Sequence, residues 1–460
     1  MKHTTQDLLF LIPVSLFFFV YQLGTGSLAS WDEAVYATVA KGILLTGDWL
    51  RLELDGHLWF DKPPLTIWAT ALSYKLFGVH EFSARIFSAL CGVGTVVTTY
   101  FLGRQLFNRW TGLIGALVLL SSSHYIHFVR FGMMDSPLTF FLTLAFYFFW
   151  LGQNRNRYLV FSGVAIGLAM MTKSFAALMI FPVIWLYALW AGRLNVLARS
   201  SYWIGVMIAV LIALPWNLYE LFVYRDLFLS QAVTKHVVLR VFNSLEGHEG
   251  NWYFYIRVLV NKYHPWILIA IVTAPYFLWK SIRERREEVV FLTSWMFVIF
   301  GIITFIQTKL AWYILPLYPA LSLSVAYALA HVFKEKNIRW IQALSVAAMM
   351  FHIPYSHIFD YDYSPLIKGI ASEVRAKTAK DEVIALYNYH ESPAASFYIG
   401  HGSIYLDSQT ALEERLKAGK LKLLIREEDV KNLGGEAYFQ KRGLGSAGSF
   451  ETMRFFVTRD

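Results

Sequence analysis

The sequence predicts an α-helical polytopic membrane protein of about eleven transmembrane helices, followed by a small C-terminal α/β soluble domain. Three observations carry this reading. Of the 460 residues, 56% are hydrophobic, 17% are aromatic and only 16% are charged, far from a soluble globular average. Apolar runs long enough for a helix to cross the hydrocarbon, about 20 residues each, recur between Leu8 and Ile353. Beyond Tyr361 the pattern changes to short β-rich runs alternating with polar helical ones. The boundaries read as a membrane domain over 1–355, with outer loops at 28–82 and 221–263, and an outer α/β domain over 356–460.

The spans fall near 7–27, 83–103, 109–125, 136–152, 157–172, 174–192, 201–220, 264–280, 289–306, 311–332 and 338–355. The shortest, of about sixteen residues, cover only about 24 Å at 1.5 Å per residue and need neighbouring helices or local thinning. The first span follows Lys2 and His3, and no small-residue cleavage site precedes the charged stretch after it, so it is read as retained rather than as a signal peptide.

Orientation comes from the loops. Arg104 and Arg109 follow the second span, Arg155 and Arg157 the fourth, Arg193 and Arg199 the sixth. Lys280, Arg283, Arg285 and Arg286 follow the eighth, and Lys334, Lys336 and Arg339 the tenth. Each even-numbered exit is short and basic, which faces these loops to the cytoplasm. The odd exits, with nearly all the acidic residues and histidines, then face outward, so chemistry is expected on the outer side of the membrane. The excess of 41 Lys and Arg over 32 acidic residues, +9 overall, fits loops against anionic lipid. No basic run interleaved with aromatics lies elsewhere, so no nucleic-acid partner is expected. Cys91 is the only cysteine, which excludes an intrachain disulfide and a cysteine-based metal site.

In the tail, EVIALY from Glu382, SIYLD from Ser403, KLKLLI from Lys420 and FFVTRD from Phe455 read as strands, and Ser392–Tyr398 and Thr410–Lys417 as helices. No glycine-rich phosphate fingerprint or triad spacing occurs there. The domain is expected to be a lid or acceptor platform.

The chemistry-bearing residues cluster in the outward segments. Between Ser30 and Pro64 the chain carries Asp32, Glu33, Asp48, Arg51, Glu53, Asp55, His57, Asp61 and Lys62, a density that a connecting loop does not require. Asp32 and Glu33 open a helical run, where a carboxylate complements a helix N-terminus and capping accounts for one of them. The other is a candidate general base on a nucleophilic hydroxyl. Lys62, ahead of two rigid prolines, is either a snorkelling anchor or a phosphate clamp. Asp135 in Gly132-Met133-Met134-Asp135-Ser136-Pro137 is either a helix N-cap or an active-site acid. Lys173 and Lys309 each interrupt a pair of apolar spans in a tight turn, so both are candidates for one anionic ligand at the lipid boundary, or for interfacial anchors. In the long outer loop, His236, Arg240 and His248 join imidazole to cation, with spacing that matches no compact zinc motif.

Six stretches in order, DEAVYA, GDW with FDKPPL, GMMDSP, GLAMMTKSFAAL, HEGNWYFY and KLAWYILPLYPALSL, resemble the GT-C class of membrane glycosyltransferases. Within that class they are similar to the bacterial branch of dolichyl-phosphate-mannose protein mannosyltransferase-like enzymes that includes the aminoarabinose transferase of lipid A. The resemblance covers most of residues 30–325. It implies a GT-C fold and a polyprenyl-phosphate-linked sugar donor whose monosaccharide passes, with inversion, to a glycolipid acceptor of lipid A type, or alternatively to a protein acceptor. It implies Asp32 and Asp135 as catalytic acids, and Lys62, Lys173, Arg240 and Lys309 as phosphate-binding cations. Glu33, Tyr36 and Tyr313 follow as substrate contacts, with Asp61 and His248 as ligands of a possible divalent metal.

The chain departs from the family pattern in three places. Asp61 stands where relatives usually have Glu, which shortens that metal ligand. Lys173-Ser174-Phe175 stands in place of Lys-Gly-Pro, and Lys309 is followed by Leu-Ala-Trp-Tyr in place of Leu-Pro-x-Tyr. No cofactor is required, because one donor phosphate is already matched by cations. A transporter or flippase of lipid-linked sugar is the rival of a different class. The charges lie in outer loops and no inverted repeat is visible, both of which weigh against it.

Overall fold

The computed structural model describes residues 2–29, 31–232, 249–332, 347, 359, 362–378, 382–389, 393–400 and 403–458. By internal contacts the chain divides into two units. One comprises Met1–Leu23, Phe60–Ala69 and Arg85–Phe359; the other comprises Gly24–Trp59, Thr70–Ala84 and Asp360–Asp460. Most of the first outer loop is therefore grouped with the C-terminal sheet, rather than with the helices on either side of it in sequence.

The first unit is helical. Among the described residues, six helices are long and apolar enough to cross a membrane: His3–Val20, Glu81–Leu106, Arg157–Ala177, Ser200–Ala232, Glu287–Phe305 and Ala311–His331. The Arg109–Leu120 and Ser123–Val129 helices, bent by 69° at their junction, make a seventh if they count as one span. Eleven spans were read from hydropathy. The one at 338–355 lies outside the described residues apart from residue 347, and the one at 174–192 appears as a helix of only 11 residues, Ile180–Trp190. Two further helices of 18 residues are Asp135–Gly152 and Ile267–Glu284.

Small residues and a buried ion pair hold these helices together. A side-chain carbon added to Gly163 would stand 2.0 Å from the carbonyl oxygen of Gly205, so Arg157–Ala177 and Ser200–Phe228 touch backbone to backbone there. In the N-terminal helix, Asp7 accepts a bidentate pair from Arg109, at 2.8 Å from Nε and 2.7 Å from Nη2, and a third hydrogen bond from the Tyr100 hydroxyl at 2.8 Å. A buried carboxylate is tolerable only with such complete pairing. The outer face of Ser200–Phe228 is left apolar, with Trp203, Met207, Leu211 and Phe222 exposed, as a lipid-facing helix requires.

The second unit holds a short antiparallel pair, β1 (Glu53–Leu54) and β2 (His57–Leu58), and a sheet of five strands. These are β3 (Ile384–Tyr387), β4 (Ser403–Leu406), β5 (Lys422–Arg426), β6 (Leu444–Phe450) and β7 (Met453–Thr458), in the order β4-β3-β5-β7-β6. β3 is parallel to β4 and β5, whereas β5-β7-β6 is antiparallel with a bulge between Ser446 and Gly448. Apolar residues of alternating strand positions, among them Ala385, Leu423, Ile425 and Phe456, pack with Leu412, Val430 and Phe439 from the flanking helices.

First-loop residues join this unit through a polar clasp. The Ser27 amide donates to Asp362 at 2.9 Å, and the Leu28 amide donates to the Tyr398 hydroxyl at 2.7 Å. Tyr398 in turn donates to Glu81 at 2.9 Å, and the Lys368 ammonium lies 2.6 Å from the same carboxylate.

Candidate active site

Asp135 is the first residue of the Asp135–Gly152 helix, and the preceding Met134 supplies no side-chain cap, so the aspartate does not serve as the N-cap. The helix N-terminus favours its charge. Its partner comes from 38 residues downstream: the Lys173 ammonium sits 2.8 Å from Oδ1, with the two side chains only 12% and 4% exposed. Lys173 reaches it because the Arg157–Ala177 helix is broken at that residue, with φ −152° and ψ 65°. The same ammonium stands 4.5 Å from the centre of the Tyr313 ring, a cation–π contact.

These groups line a cavity of about 780 Å³ together with Asp61 and Lys62. Lys62 donates to the Asp61 carbonyl at 3.0 Å. Most of the remaining wall is apolar, including Phe60, Phe175, Met179, Phe228, Ile302 and Phe305. Such a space combines ammonium and carboxylate groups with hydrocarbon, which suits an amphipathic anion with a long apolar part.

The other residues expected at the site are not among those that line this cavity. Asp32 opens the Asp32–Thr46 helix in the second unit, half-buried, with no hydrogen bond or ion pair among the described residues. Glu33 beside it is 1% exposed and accepts the Ala29 amide at 2.8 Å, fixing the chain as it enters the helix. Of the two acids, Glu33 thus takes the structural role. Tyr36 packs edge-on against Trp59, 6.0 Å between ring centres.

Lys309 is not among the cavity-lining residues. It is 5% exposed, and its ammonium donates to the carbonyls of Ile303 at 3.3 Å, Thr304 and Ile306, so all three N–H bonds close the end of the Glu287–Phe305 helix. Arg240 and His248 lie outside the described residues. Among the described residues no three His, Cys, Asp or Glu side chains gather as a metal site, and Asp61 alone is not a ligand set.

Sequence reasoning missed Trp216 and Asn217, which also line the cavity. Their signal is the polar break in LPWNLYE, inside an otherwise apolar span.

Residues 61–219 match the family model described as dolichyl-phosphate-mannose-protein mannosyltransferase. An uncharacterised protein of Aquifex aeolicus is 32% identical over 69% of this chain and 63% of its own length. An undecaprenyl phosphate-alpha-4-amino-4-deoxy-L-arabinose arabinosyl transferase of Pseudomonas fluorescens is 31% identical over 67% of this chain and 56% of its own length. Over these stretches the chain is similar to the protein mannosyltransferase family model and to the aminoarabinose arabinosyl transferases.

The chain spans less than two thirds of the length of these two curated relatives. Its GT-C fold is matched by ArnT from Cupriavidus metallidurans, solved bound to undecaprenyl phosphate, with a TM-score of 0.81 at 17% identity over 99% of this chain and 98% of that one. The archaeal oligosaccharyltransferase AglB from Archaeoglobus fulgidus shares the fold at a TM-score of 0.67 and 11% identity, over 99% of this chain and 74% of that one. In this chain Asp61, Lys62, Asp135, Lys173 and Tyr313, from four separate stretches of sequence, line one cavity.

Proposed function

We propose that the protein is a polyprenyl-phosphate-dependent glycosyltransferase of the inner membrane that passes one monosaccharide to a glycolipid acceptor of lipid A type on the outer face. The observation that carries this is one cavity in which two ammonium groups, two carboxylates and a tyrosine meet a mostly apolar wall. In this reading the apolar wall takes the first isoprene units, and Lys62 and Lys173 face the phosphate. An acceptor oxygen attacks the anomeric carbon as the bond from that carbon to the phosphate oxygen breaks. The electron pair leaves on the polyprenyl phosphate, whose charge the two ammonium groups stabilise. The acceptor proton goes to a carboxylate, for which we propose Asp32.

Two facts support Asp32 over Asp135 as the base. The Asp135 carboxylate already accepts the buried Lys173 ammonium through Oδ1 at 2.8 Å, so it is engaged in an ion pair. Asp32 carries no such partner among the described residues. Asp135 is then the residue that orients Lys173. The transfer needs no resident metal in this account, since the donor has one phosphate matched by side-chain cations, and no step is routed through one.

The direct cellular test is mass spectrometry of surface glycolipids and glycoproteins from cells with and without the gene. Loss of the gene is expected to remove one monosaccharide mass from a glycolipid and to leave glycoproteins unchanged. A change confined to glycoproteins would replace the acceptor class with protein, and no change in either would remove the transferase reading.

A further inference from the structure

The Ser200–Phe228 helix contributes a polar group to the cavity that the proposed transfer chemistry does not use. The side-chain amide of Asn217 donates from Nδ2 to the carbonyl of Ala213, one turn back, at 2.7 Å. Reversing the amide would bring two oxygens together, so this bond fixes which end of the group remains for the cavity. The remaining atom is Oδ1, an acceptor, and it takes part in no hydrogen bond among the described residues. Next to it, Trp216 is 4% exposed and also lines the cavity, and its indole Nε1–H meets no acceptor among the described residues. From Ala213 to Tyr224 the helix carries no cationic side chain, and Glu220 on the same face is buried. This wall therefore offers one acceptor, Asn217 Oδ1, beside one neutral donor, the Trp216 indole N–H, and no cation.

A donor of the proposed class has three parts, and an acceptor oxygen suits only one of them. The polyprenyl tail offers no hydrogen-bond donor, so lodging it here would strand the amide oxygen away from water. The phosphate is itself acceptor-only when ionised, and its oxygens would be repelled. The sugar alone presents O–H or N–H groups, and its apolar ring face suits an adjacent indole. We propose that Asn217 is a specificity-determining residue whose Oδ1 selects a donor sugar with a hydrogen-bond-donating substituent, hydroxyl or amino, at one ring position. The inference rests on the transferase reading above, and adds to it a named contact between protein and sugar.

The test uses the purified full-length protein in detergent, a polyprenyl-phosphate monosaccharide, and analogues in which one hydroxyl or amino group at a time is replaced by hydrogen. For the wild type, one analogue is expected to lose about 10- to 100-fold in kcat/KM, the size of one lost hydrogen bond to an oxygen that the bound sugar shields from water. In Asn217→Leu and Asn217→Ala the parent donor falls by a similar factor. The same analogue then becomes no worse than the parent, while the other analogues keep their wild-type ratios and KM for the acceptor is unchanged. Alanine favours helix and guards against a folding failure of the leucine variant, which a thermal melt reports. Wild-type ratios for every analogue in both variants, or an effect confined to acceptor KM, would overturn the assignment. If the wild type consumes no polyprenyl-phosphate sugar at all, the transferase reading itself fails. If it consumes the donors without discriminating among them, only the role of Asn217 fails.

Discussion

Asp32→Asn is expected to lower turnover by about 10²- to 10⁴-fold, the usual contribution of a positioned general base, with donor affinity and thermal stability nearly unchanged. The substitution keeps shape and hydrogen-bonding capacity and removes only basicity. Asp32 is half-buried at the start of the Asp32–Thr46 helix and has no partner among the described residues, so no contact there is broken. The remaining cost is the weaker interaction of a neutral amide with the helix N-terminus, about 0.3 to 1 kcal/mol. Glu33 is the internal contrast: because its carboxylate holds the Ala29 amide, Glu33→Gln acts on the local structure rather than on proton transfer. Steady-state kinetics with donor binding measured separately distinguishes a lost base from a lost binding site. Near-normal turnover in Asp32→Asn, together with a folded but inactive Asp135→Asn, would move the base to Asp135.

Lys173→Met is expected to be the most destabilising single change in the cavity. It removes the ammonium 2.8 Å from a carboxylate that is only 4% exposed. Breaking a buried pair from one side typically costs about 3 to 5 kcal/mol, because the remaining charge loses its compensation. Adding Asp135→Leu to Lys173→Met removes that charge and is expected to recover most of the loss, although not the activity. Thermal melts in detergent of the two single variants and the double variant measure this coupling. If Lys173→Met melts with the wild type, or the double variant is no better than the lysine variant alone, the ion pair does not hold the cavity together.

The pairing behind that prediction was not visible in the sequence, and the reason is geometric. Lys62, Asp61, Asp135, Lys173 and Tyr313 could each be picked out as a charged or aromatic interruption of apolar sequence, and the family motifs contain all five. That Lys173 faces Asp135 depends on where the Arg157–Ala177 helix breaks, which hydropathy does not report. The same limit led Lys173 and Lys309 to be read as equivalent lone lysines in tight turns. One lines the cavity, and the other spends its three N–H groups on helix-end carbonyls.

In the second unit, β3, β4, β5 and β7 stand where β-branched and aromatic runs marked them. β6, with the sequence LGSAGSF, lacks that signal and owes its place to its ladder with β7. Grouping of the first loop with the C-terminal sheet depends on contacts such as Ser27 to Asp362, more than 300 residues apart, for which one sequence carries no local sign. Asn217 was passed over because one amide in an apolar helix reads as a tolerated polar residue until its hydrogen bond to Ala213 shows which atom is left over.

The most direct measurement of the central claim is a balance of products. Purified full-length protein is mixed with a polyprenyl-phosphate monosaccharide and lipid A, and both lipid products are quantified by mass spectrometry, alongside a sealed-vesicle assay of donor movement. The account predicts glycosylated acceptor and free polyprenyl phosphate formed in equal amounts, with both abolished when the donor is omitted. Donor that crosses the vesicle membrane intact, with neither product formed, would contradict it and make the protein a carrier of lipid-linked sugar.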